Sequence, residues 1–249
     1  MVRERIRSTN AAVNNISLLQ MATSLERLAS INQRLSEALK RSGRGLSEVE
    51  LIAVSKTAPY SAVAELVDAG QRLFGESRVQ EAKLKIPMLP SEVRWHFLGH
   101  LQKNKIRQAL PLFEMFHGID SVALASDINR IATETGARPR ILLEVNLAGE
   151  ASKFGFSPQE VKSEMETILG LEQIKVEGLM TIPPIAEEGE SSRRYFAGLR
   201  ELRDLLQREF NVALPHLSMG MSSDFEVAAE EGATLVRVGT AIFGERVYN

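Results

Sequence analysis

The sequence predicts an α/β protein folded as a single (β/α)8, TIM-type barrel. From residue 49 onward, short apolar runs rich in Val, Ile, Leu and Phe alternate with amphipathic stretches of helical length. That alternation is the signature of repeated βα units and a parallel sheet. The apolar runs number about eight, the count that closes a barrel. A chain of 249 residues suits one such domain, since these barrels typically need about 250 residues.

The first element is a helix opening at Met21, where Leu25, Leu28, Ile31, Leu35 and Leu39 recur at helical spacing until Gly43 and Gly45 stop it. The barrel domain is therefore expected over residues 21–249, with residues 1–20 as an N-terminal extension. Met1–Arg7 is basic like the start of a secretory signal, but the polar stretch Ser8–Asn15 stands where an apolar segment belongs. Strands are predicted at Glu50–Ser55, Arg72–Gly75, Arg94–Gly99, Met115–Ile119, Arg140–Asn146, Val176–Ile182, His216–Met219 and Thr234–Gly239. Helix signals fall between them. Ser157-Pro-Gln-Glu160 combines an N-cap serine, proline at the first helical position and glutamate three residues after the cap. Ser223-Asp-Phe-Glu226 repeats the capping-box spacing ahead of a helix expected to end at Gly232. Arg193–Phe210 reads as a long amphipathic helix with Phe196, Leu199, Leu202, Leu206 and Phe210 inward and its arginines in water. Pro183-Pro184 with Ala186–Glu190 is the most loop-like stretch and follows a strand's carboxyl end, so it reads as a rim segment or an inert surface loop.

Composition narrows the function. Thirty basic residues against thirty-two acidic ones leave no positive surplus for a phosphate backbone, so nucleic acid is not an expected partner. No run approaches the roughly 18 apolar residues of a membrane span. The absence of cysteine excludes disulfides, thiolate nucleophiles, iron–sulfur clusters and Cys-ligated zinc, and it fits a reducing, cytoplasmic setting.

Lys56 places an amine directly after the first predicted strand, at the end where barrels keep their sites. Burial disfavours an ammonium, and a neutral amine attacks carbonyls; a lysine that snorkels to solvent is the plainer alternative. Around the last strand, Thr234-Leu-Val-Arg-Val-Gly-Thr-Ala-Ile-Phe-Gly244 runs into a glycine turn whose amides, at Gly239 and Thr240, suit an anion. Leu217-Ser-Met-Gly-Met-Ser-Ser223 supplies a second small-residue turn, with the Ser222 hydroxyl able to complete a phosphate cradle. Arg237 shares a strand face with Gly239 and points into the barrel mouth. As a donor-only cation it suits either an unprotonated pyridine nitrogen or a salt bridge to a strand carboxylate such as Glu144. His96 and His100 are four apart, but Gly99 interrupts any shared helical face, so no metal site is expected. His100 is a candidate to line the barrel mouth, whereas His117 and His216 read as hydrogen-bonded strand residues. Lys103, Lys105 and Arg107 read mainly as solvated charge, and Lys153 with Glu150 as either a surface pair or a contact on a ligand's exit route.

Six segments carry a resemblance. Ala53-Val-Ser-Lys-Thr-Ala-Pro59, Phe74-Gly-Glu-Ser-Arg-Val-Gln-Glu81, Trp95–Lys105, Glu144–Phe156, Leu217–Glu226 and Val236–Gly244 occur in the order found in the pyridoxal 5′-phosphate homeostasis proteins, the YggS/PROSC family, which this chain resembles over roughly residues 21–247. The resemblance implies a fold-type III barrel like the N-terminal domain of alanine racemase, with pyridoxal 5′-phosphate (PLP) held as a Schiff base on Lys56. It assigns Arg237 to the pyridine nitrogen, Ser222, Gly239 and Thr240 to the phosphate, and the turn containing Ser77 to the ring's surroundings. The family ordinarily has asparagine at the position of Ser77, so a contact made by an asparagine amide does not carry over.

The expected role is to hold PLP, maintain vitamin B6 homeostasis and deliver the cofactor to apoenzymes, as a monomer, without catalytic turnover. Racemisation favours a protonated pyridine, which arginine opposes, and needs acid/base groups on both faces of the substrate carbon. None of the tyrosines Tyr60, Tyr195 and Tyr248 lies in a motif suggesting such a base, and no second domain of the racemase kind fits in this length. The rivals are a single-domain amino-acid racemase and a cofactor-free aldolase using Lys56 directly.

Overall fold

The computed structural model describes residues 23–150, 153–184 and 189–244; the expected extension over 1–20 lies outside them. The chain opens with helix α1 (Ser24–Arg41), whose N-cap Thr23 and Glu26 form a reciprocal capping box. Leu28, Ile31, Leu35, Ala38 and Leu39 make its buried stripe. The repeating units follow: β1 (Glu50–Val54), α2 (Tyr60–Asp68), β2 (Leu73–Glu76), α3 (Val79–Lys85), β3 (Arg94–Phe97), α4 (Ile106–Ala109), β4 (Met115–Ile119), α5 (Val122–Thr135), β5 (Arg140–Glu144), α6 (Pro158–Leu169), β6 (Lys175–Met180), α7 (Arg193–Phe210), β7 (His216–Ser218), α8 (Phe225–Glu230), β8 (Leu235–Val238) and α9 (Thr240–Phe243). Each strand pairs in parallel with the next and β8 closes on β1. All eight expected strands are present, most of them one or two residues shorter than the apolar runs.

Strand alternation divides the interior. Leu51, Ala53, Phe74, Trp95, Phe97 and Phe116 join the large core beneath the helices. Their neighbours Ile52, Leu73, Met115, Leu142, Met180 and Leu235 form a separate cluster inside the barrel. This layering fixes which residues can reach the mouth: those in phase with Ile52 on β1 and with Leu235 on β8.

The Ser157 capping box forms as expected, with Ser157 Oγ accepting from the Glu160 amide. The one expected at Ser223 does not. Asp224 is the N-cap of α8 but makes no capping bond. Its carboxylate instead accepts from the Met221 amide at 2.6 Å and from Ser192 Oγ at 3.0 Å, and Glu226 pairs with Arg34 of α1. The charge run of α7 is only partly solvated. Arg193 bonds Glu190, Glu230 and Glu231, and Arg200 bonds Glu231, which ties α7 to the end of α8. In the loop after β6, Pro183 and Pro184 fall within the described residues and 185–188 outside them.

Candidate functional site

The strands end in a shared cleft of about 360 Å3, lined by Val54, Lys56, Ser77, Leu98, Ile182, Met221, Ser222, Ser223, Arg237, Gly239 and Thr240. The structure thus brings together all six sequence-predicted site residues. Lys56 is half-buried and in phase with Ile52 and Val54, so β1 delivers its amine to the mouth. Gly75 makes the floor possible, because a Cβ there would lie 2.3 Å from Leu98 Cδ1 and 2.9 Å from Ile52 Cγ2.

Opposite, the loop after β7 meets the turn after β8. Ser222 Oγ accepts from the amides of Gly239 (3.4 Å) and Ala241 (3.2 Å) and lies 3.1 Å from the Thr240 hydroxyl. The Ala241 amide thus joins the expected Gly239 amide and the hydroxyls of Thr240 and Ser222 at this turn. Ala241 was not legible because which amides converge depends on the first turn of α9.

Arg237 is buried beneath the cleft. It donates to Ser218 Oγ at 2.5 Å and to the Thr181 carbonyl at 2.9 Å, and the alternative of a salt bridge to Glu144 is not formed. Burial lowers its pKa to about 10, against the fields of Glu144 and Asp224, and the guanidinium stays charged at neutral pH. Glu144 acts only through that field. Burial, helped by Asp120, raises its carboxyl to about 7.

Behind Arg237 runs a polar relay the sequence only hinted at. His117 Nδ1 lies 2.8 Å from Ser218 Oγ, and His117 Nε2 lies 3.0 Å from His96 Nδ1. Arginine can only donate, so the Ser218 proton faces His117 Nδ1, and each histidine then carries its proton on Nε2. Burial holds His96 at about 3 and His117 well below its usual value, so both rings are neutral. His216 bonds Thr234 and Arg140 elsewhere in the barrel. His100 stacks on Phe154 at 4.3 Å and pairs with Asp120. Lys103 is exposed and pairs with Asp127, and Lys153 pairs with Glu150. Among the described residues no group of three His, Cys, Asp or Glu side chains is placed to hold a metal ion.

A closed parallel barrel with an amine, a buried arginine and a hydroxyl–amide nest at one mouth defines a class. Residues 27–247 match the family of the alanine racemase N-terminal domain. The fold likeness extends to alanine racemase of Clostridium difficile, with a TM-score of 0.67 at 18% identity over 88% of this chain and 57% of that one. Nearer relatives are the pyridoxal phosphate homeostasis proteins of Aquifex aeolicus, 47% identical over 90% of this chain and 98% of the relative, and of Pseudomonas aeruginosa, 41% identical over 92% and 98%. PipY of Synechococcus elongatus, solved with PLP bound, superposes with a TM-score of 0.78 at 41% identity, covering 89% of this chain and 100% of PipY. The chain belongs to the pyridoxal phosphate homeostasis protein family.

Proposed function

We propose that this chain binds PLP in the cleft at the barrel mouth, captures it covalently on Lys56, and maintains the cofactor supply by releasing it to apoenzymes. The observation that carries this reading is the cleft's lining: among the described residues its charged groups are the Lys56 amine and the Arg237 guanidinium, and its other polar groups are hydroxyls and amides. That donor set fits an anion bearing a carbonyl. Ser222 Oγ accepts from backbone amides that an oxyanion would equally satisfy. PLP supplies an electrophilic aldehyde, a pyridine ring and a phosphate.

Each residue then has one task. Ser222, Gly239, Thr240 and Ala241 hold the phosphate. Arg237, fixed by Ser218 and Thr181, faces the pyridine nitrogen as a donor and opposes its protonation. Lys56 provides the amine, and Ser77 and Leu98 border the ring. Holding is favoured over turnover because the arginine withholds the protonated ring that carbanion chemistry prefers. The Tyr60 hydroxyl donates to the Met88 carbonyl, and Tyr195 lines a different cleft with Leu147, Ala148 and Arg194. The homeostatic role of the relatives supports the same reading. A monomeric state and a cytoplasmic setting belong to the same proposal; among the described residues no helix is long and apolar enough to cross a membrane.

The test is borohydride reduction of PLP-loaded protein followed by peptide mass mapping. Label on the Lys56 peptide, lost in Lys56→Ala, is expected; a Lys56→Ala protein that keeps the label at equal stoichiometry refutes the assignment. Racemase activity is tested by optical rotation over a panel of single-enantiomer amino acids, with no turnover expected.

A further inference from the structure

Beneath the loop that carries Lys56 lies a buried ion cluster for which the proposed function gives no task. Strand phase turns Ser55 and Glu76 away from the barrel interior, toward α3. There Lys85 Nζ donates to Glu76 Oε1 at 2.6 Å, to Glu81 Oε1 at 2.9 Å and to the Ser55 carbonyl at 2.9 Å. Ser55 Oγ donates to Glu76 Oε1 at 2.6 Å. The Thr57 amide donates to Glu81 Oε1 at 2.7 Å. One cluster thus grips both neighbours of Lys56 by their backbone.

The grip has a conformational object. Thr57 has φ of +65°, a left-handed conformation that is uncommon for a residue with a Cβ and especially for a β-branched one. A residue stays there only where its surroundings over-determine it. The turn is closed by the Ala58 amide donating to the Ser55 carbonyl at 2.9 Å, and the bond from the Thr57 amide to Glu81 ties it to α3. The cluster is also costly. Glu76 and Lys85 are buried, Glu76 Oε2 has no hydrogen-bond partner among the described residues, and burial raises the Glu76 carboxyl. Apolar side chains would fill the same space at lower cost.

We propose that Glu81, Lys85 and Glu76 form a positioning cluster that locks the Ser55 and Thr57 backbone on either side of Lys56 and so aims its amine into the cleft. None of the three touches the ligand. The inference rests on reading Lys56 as the capturing amine.

The experiment compares two ligands on full-length protein: PLP, which the amine can capture, and pyridoxine 5′-phosphate, which has the same ring and phosphate but no aldehyde. Glu81→Ala removes the acceptor for the Thr57 amide, whereas Glu81→Gln keeps a carbonyl oxygen there. For Glu81→Ala the rate of borohydride-trappable labelling at Lys56 falls by about ten- to a hundredfold, the scale of a misplaced reacting group, while affinity for pyridoxine 5′-phosphate holds. Glu81→Gln recovers most of the rate. Unchanged labelling in Glu81→Ala overturns the proposal, and so does a parallel loss of labelling and analogue affinity, which marks a merely structural residue. Lys85→Met, measured in the same way, gives a second reading from the other side of the cluster. Wild-type protein that binds both phosphates without labelling Lys56 instead removes the reading of Lys56 itself, a different failure.

Discussion

Replacing Glu144 by glutamine removes one ionisation from the inner face of β5 and leaves the shape almost unchanged. In the folded protein this carboxyl titrates at about 7 rather than 4.5, chiefly because it is buried, with Asp120 adding to the rise and Arg237 and His100 opposing it. The folded state therefore holds a proton that the unfolded chain has released. The associated stability is fully present below about pH 4.5 and is lost as pH rises through about 7. At about 1.4 kcal/mol per pH unit, the interval from 4.5 to about 7 corresponds to roughly 3 kcal/mol. Glutamine escapes that loss. Urea unfolding of the ligand-free protein reads the difference: Glu144→Gln gains on wild type with rising pH, by about 2 to 3 kcal/mol between about pH 5 and pH 8.5. A stability gap independent of pH, or a variant that weakens at pH 8.5, contradicts the assignment of this titration to Glu144.

Other outcomes follow from the same geometry. Gly178→Ala places a Cβ 1.9 Å from the His216 carbonyl oxygen, so β6 and β7 must separate; the urea midpoint should fall by the equivalent of about 3 kcal/mol or more, and a near-wild-type midpoint contradicts the close approach. Ser222→Ala should weaken PLP by roughly tenfold, about one hydrogen bond's worth, while leaving unphosphorylated pyridoxal unaffected; equal losses for both ligands argue against a phosphate site there. The relay predicts that imidazole nitrogen spectra show His96 and His117 in the Nε2–H form, unmoved from about pH 8 to pH 5. Because both rings are lowered, protons bind the unfolded chain first and stability falls as pH drops below about 6.5; titration of either ring near 6.5 in folded protein contradicts the relay.

The barrel was legible because its signals are local and repeated: β-branched and aromatic runs of strand length, separated by stretches of helical period. Ser157 fulfilled its capping pattern because every partner lies within four residues. Ser223 and Glu226 show the same pattern, yet Asp224 is claimed by Ser192, thirty-two positions away in sequence, and Glu226 by Arg34. Alternation placed Arg237 in the mouth but could not name Ser218 or Thr181, since neighbours across a barrel depend on its closure. The Glu76–Lys85 pair left a fainter trace, a glutamate beside Gly75 at the end of an otherwise apolar run and a Glu81–Lys85 spacing of one helical turn. Read alone, that spacing suggests a surface pair.

His96, His117 and Ser218 are linked by hydrogen bonds across three strands, at the depth where a barrel ordinarily carries aliphatic side chains. Changing any one of them strands a polar atom on its neighbour, and changing the set together to hydrocarbon strands the buried Arg237 guanidinium that donates to Ser218 Oγ. Over generations these three positions should therefore be inherited as a block with Arg237: sister lineages keep all four or change all four, and chimeras that splice β3 and β4 from one lineage onto β7 and β8 from another inherit the mismatch.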